Sequence, residues 1–150
     1  MTKKKAQTFR AGIGAIILNK DGLVLGFERK DFPDEWQFPQ GGLDEGEELL
    51  DAVKREIYEE TGIEANDIKL LAEAPVPTVY EFPNKSPHRG QVHRWFLFRL
   101  ESSDEAITLG DQNEFHAWKW TSMDEMIENV VSFKKSVYQE LGDYFEAYLV

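Results

Sequence analysis

There is no cysteine among the 150 residues, which rules out disulfides, thiolate metal sites and a cysteine nucleophile. Long apolar runs are missing too. Ile13 to Leu18 is too short for a signal or membrane segment, and Lys3, Lys4 and Lys5 precede no leader-like apolar stretch. Positive charge is scarce: 17 Lys and Arg stand against 28 Asp and Glu, for a formal net charge of -11. That balance disfavours sequence-independent binding along a nucleic-acid backbone. A phosphate-rich ligand would need a bound cation or a few well-placed basic side chains, since total charge does not set the sign inside one cleft. The expected location is the cytoplasm, with no membrane partner.

What is present is ordinary for a globular protein: 41% apolar and 13% aromatic residues. A chain of this length buries roughly 70% of its surface on folding, so one domain over residues 1–150 is expected. Ala11 to Leu18 and Leu23 to Leu25 flank Asn19-Lys20-Asp21-Gly22 and read as a hairpin closed at Asp-Gly. Trp36-Gln37-Phe38, between Pro33 and Pro39, reads as a short extended piece. Glu47 to Thr61 contains strong helix formers, lacks Gly and Pro, and stops at Gly62, so it is expected to be a helix. Four further strands are expected over 68–74, 78–82, 92–100 and 115–120. Ser122-Met123-Asp124-Glu125 has the form of a capping box, and a second helix is expected from Ser132, with Phe133, Val137, Leu141 and Phe145 along one face. Strands first and helices around them imply an α+β sheet covered by helices. The loop from Pro83 to Gly90, with Lys85, His88 and Arg89, has a composition that suits mobility and substrate contact.

At about 100° per residue, the helical wheel gathers Leu49, Val53, Ile57 and Leu50 into one arc, the expected buried face. Glu60, Glu56, Ala52 and Glu59 fall in the adjoining arc, away from the solvated side carrying Asp51, Lys54 and Tyr58. Like charges at these i, i+3 and i, i+4 spacings cost roughly 0.2 to 0.5 kcal/mol per pair. A hard divalent cation with oxygen ligands would offset that cost, and Mg2+ suits few carboxylates plus open positions for phosphates and water. Taken alone, such a run is usually a solvated acidic face.

The neighbours change that balance. Gly41, Glu47 and Arg55 stand before Glu56-Ile57-Tyr58-Glu59-Glu60-Thr61-Gly62-Ile63, and together these residues resemble the complete Nudix box at every fixed position. The resemblance implies a Nudix fold, a mixed β-sheet sandwiched between helices (α/β/α), and hydrolysis of a nucleotide-linked phosphoanhydride. It implies that Gly41 supplies a carbonyl ligand and that Glu56, Glu59 and Glu60 hold the metal, with Mn2+ able to replace Mg2+. Arg55 is placed to orient carboxylates through a forked hydrogen bond. Glu47 is placed near the helix start to orient the loop or a metal-bound water.

Beyond the box, Trp36-Gln37-Phe38-Pro39-Gln40-Gly41-Gly42 is similar to the segment shared by bacterial RNA pyrophosphohydrolases and dinucleoside tetraphosphate hydrolases. Gly90-Gln91, Trp95-Phe96-Leu97, Glu114-Phe115, Trp118, Trp120 and Val130-Val131-Ser132-Phe133-Lys134 are similar to blocks of the RNA pyrophosphohydrolases. By that resemblance Glu114 is a further metal-side carboxylate. Arg10, Arg29, Gln40 and Tyr80 contact substrate, and Phe133 and Lys134 receive a nucleobase, for which an aromatic ring offers about 1 to 3 kcal/mol of stacking. His116-Ala117 replaces the more usual Asp-Gly, and the loop from Lys30 to Glu35 is one residue longer than the pattern. The expected reaction is removal of pyrophosphate from a 5'-triphosphate RNA end, with Glu56 as general base. Diadenosine tetraphosphate or nucleoside triphosphate hydrolysis is the enzymatic alternative, and a nucleotide-binding regulator is the non-enzymatic one. Self-pairing is possible but does not follow from these residues.

Overall fold

A computed structural model of the chain describes residues 8–83, 86–110 and 114–150. The described residues form eight strands and three α-helices: β1 (Phe9–Leu18), β2 (Val24–Arg29), β3 (Trp36–Gln37), β4 (Gln40–Gly42), α1 (Leu49–Thr61), β5 (Ile68–Glu73), β6 (Thr78–Glu81), β7 (Gly90–Leu100), β8 (Phe115–Thr121), α2 (Met123–Asn129) and α3 (Lys135–Tyr144). Short 3-10 turns precede β5, β8 and α3 and follow α3.

The sheet is mixed. β1 and β7 run parallel in register from Phe9↔Gly90 to Leu18↔Arg99, and the other pairings are antiparallel. Strand period sorts the side chains onto two faces. Ile13, Ala15 and Ile17 of β1 with Phe96, Phe98 and Leu100 of β7 pack against Ala52, Val53 and Ile57 of α1. Ile16 and Leu18 with Trp95 and Leu97 pack against Met123 and Met126 of α2 and Val137, Tyr138 and Leu141 of α3. The expected α/β/α sandwich is therefore the observed one.

The turn after β1 closes as its sequence requires: the Asn19 side chain accepts from the backbone of Asp21 at 2.9 Å and Leu23 at 3.0 Å. α1 begins two residues later than expected, at Leu49, and ends where Gly62 takes φ 78 and donates to the Tyr58 carbonyl. Leu50 was expected to be buried and is exposed. The helix engages the sheet through its middle and last turns, so burial passes to Ala52, Val53, Ile57, Glu60 and Thr61.

The Ser122 hydroxyl accepts from the Glu125 N–H at 3.1 Å, but the reciprocal half of the capping box is absent, because the Glu125 carboxylate turns to Lys119 and Thr121. Ser132 opens a 3-10 turn, and α3 starts only at Lys135. Phe133 therefore precedes the helix stripe, whereas Val137, Leu141 and Phe145 are buried as expected. No helix among the described residues is long and apolar enough to cross a membrane.

Candidate active site

α1 carries its carboxylates against β4. A Cβ built on Gly41 would fall 2.2 Å from the Glu56 carboxyl carbon, so only glycine lets that carboxylate lie against the strand backbone. Arg55 binds the ridge together: Nε donates to Glu47 at 2.8 Å, Nη1 to Glu56 at 2.8 Å and Glu59 at 3.2 Å, and Nη2 to the Gly42 carbonyl at 3.1 Å and Glu47 at 3.0 Å. The guanidinium thus bonds three carboxylates at once, Glu47 among them. Its bond to Glu56 uses Oε1 and leaves Oε2 available.

Glu60 is 5% exposed, and its Oε2 has no partner. Burial pushes its pKa up to about 10, the nearby carboxylates of Glu114 and Glu56 add to the rise, and the Gln40 backbone N–H opposes it. Burial also raises Glu56, with Arg55 opposing and Glu59 and Glu114 reinforcing. Carboxylates held together at such a cost form a site that favours positive charge. Among the described residues no three such groups already surround one point at ligand distance. The orphaned Glu60 oxygen, the Glu56 carboxylate cradled against Gly41 and an all-oxygen donor set fit a hard divalent cation. The Glu114 carboxylate is near enough to raise both Glu56 and Glu60, and it accepts from Gln37 Nε2 at 3.5 Å.

The remaining expected residues assemble beside the ridge. Tyr80 is buried; its hydroxyl meets Gln91 and accepts from Gln40 Nε2 at 3.4 Å. The Phe133 ring lies 5.5 Å from the Tyr80 ring. Lys134 sits with Nζ 5.7 Å from the Tyr80 centroid and 5.9 Å from that of Phe133. Burial, then the charge of Arg29, pull its pKa down to about 8, while Glu114, Glu35 and Glu60 oppose. Arg29 stacks over Phe32 at 4.2 Å. Arg10 is exposed, with its guanidinium beside Gly42.

Two participants were missed. His93, 1% exposed, stacks 5.8 Å from Tyr80, and Gln91 holds the Tyr80 hydroxyl. Their signal was the alternation along β7, which puts 91, 93 and 95 on one face. Of the loop expected to contact substrate, Lys85 lies outside the described residues. His88 pairs with Thr8 at 3.0 Å and Arg89 with Glu81 at 2.6 Å, so both are engaged at a sheet edge.

The family model described as the NUDIX domain matches residues 8–141. The chain is 38% identical over 150 residues to an RNA pyrophosphohydrolase of Cereibacter sphaeroides, covering 94% of this chain and 93% of that one. It is 41% identical over 155 residues to the chloroplastic Nudix hydrolase 26 of Arabidopsis thaliana, covering 94% and 71%. In structure it is similar to the E. coli dihydroneopterin triphosphate pyrophosphohydrolase, with a TM-score of 0.75, 24% identity, and 94% and 99% of the two chains covered. The family match, the identity across nearly whole chains and a glycine-backed carboxylate helix agree: this chain belongs to the Nudix family and is a Nudix hydrolase.

Proposed function

We propose that the chain removes pyrophosphate from the 5'-triphosphate end of RNA and leaves a 5'-monophosphate, with Mg2+ as its cofactor and Mn2+ able to substitute. One juxtaposition carries this reading. A ridge of carboxylates that favours a divalent cation stands beside an aromatic and cationic recess, formed by Tyr80, Phe133 and Lys134, that suits a nucleobase with its phosphates. The named activity of the bacterial relatives supports the same substrate class.

In this reading Glu56, Glu59 and Glu60, with Glu114 and the Gly41 carbonyl, hold the cation. When bound, the cation neutralises anhydride charge and polarises the attacked phosphorus. Glu56 is the general base: Arg55 fixes one oxygen, and the other takes a proton from the water that attacks phosphorus as pyrophosphate leaves. Arg55 keeps Glu47, Glu56 and Glu59 in position. Arg10, Arg29 and Gln40 contact the phosphates and sugar, while Phe133 and Lys134 take a base.

Equal amounts of 5'-triphosphorylated RNA, diadenosine tetraphosphate and nucleoside triphosphates, each with Mg2+, test the assignment. The highest kcat/KM is expected for the RNA, with pyrophosphate as product. A higher kcat/KM for either competitor would replace RNA as the substrate.

A further inference from the structure

Phe32 is 48% exposed, and the Arg29 guanidinium backs its ring at 4.2 Å. An isolated exposed aromatic is common, but this one is held in place. The Arg29 N–H donates to the Glu35 carbonyl at 3.0 Å, the Glu35 N–H to the Phe32 carbonyl at 3.1 Å, and the Lys30 N–H to the Glu114 carbonyl at 2.9 Å. Asp34, at φ 68, donates its N–H to Glu28 Oε2 at 2.9 Å. The other Glu28 oxygen meets His116 Nε2 at 2.7 Å. His116 reaches it because the β2–β8 register shifts between Glu28↔Ala117 and Arg29↔Phe115, leaving His116 at the bulge. The longer loop and the unusual histidine therefore meet at one carboxylate, and together they present Phe32.

The loop stands at the site. Its Lys30 amide is tied to Glu114, and Arg29 and Glu35 are charges that Lys134 senses. Arg29 with Phe32 and Lys134 with Phe133 make two ring–cation pairs, at 4.2 Å and 5.9 Å, Lys134 itself being buried. Aromatic rings with neighbouring cations bind single-stranded nucleic acid, the rings stacking bases and the cations meeting the backbone.

We propose that Phe32, backed by Arg29 and presented by the Glu28–His116 latch, is a stacking platform for a second base of single-stranded RNA beside the one taken by Phe133. This rests on the RNA reading above. Asp31, Asp34 and Glu35 on the same loop offset Lys30 and Arg29, so the platform acts through stacking.

The test compares wild type, Phe32→Ala and Phe32→Trp. KM and kcat are measured on a 5'-triphosphorylated oligoribonucleotide and on a nucleoside triphosphate. Affinity for the 5'-monophosphorylated oligoribonucleotide is measured by fluorescence anisotropy. Phe32→Ala should raise the oligonucleotide KM and Kd at least about fivefold, the low end for one stacked base. It should leave kcat, Tm and the mononucleotide KM unchanged, and Phe32→Trp should restore binding. Unchanged oligonucleotide affinity, or an equal loss on the mononucleotide, would overturn the platform. If wild type bound the oligonucleotide through Phe32 but did not cleave its triphosphate, the platform would stand and the proposed reaction would fall.

Discussion

Glu56, Glu59 and Glu60 stand within about one turn of a single helix, the first two sharing one arginine, whereas Tyr80, Phe133, Lys134 and Arg29 come from three separate segments. The first region is polar, and its cost is like-charge crowding in a sheltered place. The second is mostly aromatic, and its charges are few and placed at the edges. Helix geometry spaces the carboxylates of the first and β4 backs them, while the second exists only once β2, β6 and the turn before α3 have packed together. The difference teaches that reaction chemistry here rests on local order and recognition on tertiary order, so damage to the two should separate kinetically.

The largest effect is expected on the helix. Glu56→Gln keeps the side chain's size and its bond from Arg55, yet should lower kcat by about 10^2 to 10^4, with little change in KM, in steady-state assays with Mg2+. A near-normal kcat would move the base to another carboxylate and remove the contrast between the regions.

His93 gives the next effect, on stability. Burial, then the charges of Lys134 and Arg10, pull its pKa from 6.5 down to about 4. Between these values the unfolded chain binds a proton that the folded chain refuses, so stability rises with pH across this window and is lost on acidification. The shift corresponds to at most about 3 kcal/mol. Thermal melts at pH 7 and pH 4.5 should show a smaller acid loss for His93→Gln than for wild type. Equal losses would show that this ring does not drive the titration.

The smallest effect sharpens the recognition half. Phe133→Ala should raise KM for triphosphorylated RNA about fivefold to tenfold while sparing kcat, as expected for one lost stacking surface. A fall in kcat with KM unchanged would place Phe133 in the chemistry instead.

The same contrast explains what could be read from the sequence. The carboxylate ridge, the role of Arg55 and the stop at Gly62 follow from helix periodicity and a contiguous motif. Leu50 was misplaced because the wheel treats every turn alike, whereas α1 engages the sheet through its middle and end. β4 was not expected as a strand because Gln40–Gly42 is short and glycine-rich, and its pairing with β1 is set by tertiary contact. His93 was missed because a polar residue inside a strand reads as solvent-facing until the neighbouring layer is known. Phe32 and His116 sit far apart in sequence, and the Glu28 carboxylate joins the loop of one to the ring of the other.

In the proposed function α1 holds a divalent cation through its crowded carboxylates. Calorimetric titration of Mg2+ and of Mn2+ into the wild-type protein and into Glu56→Gln/Glu60→Gln tests it most directly. Saturable binding is expected in the wild type and should be lost or greatly weakened in the double variant. Absence of binding in the wild type, or equal binding in both, would contradict it.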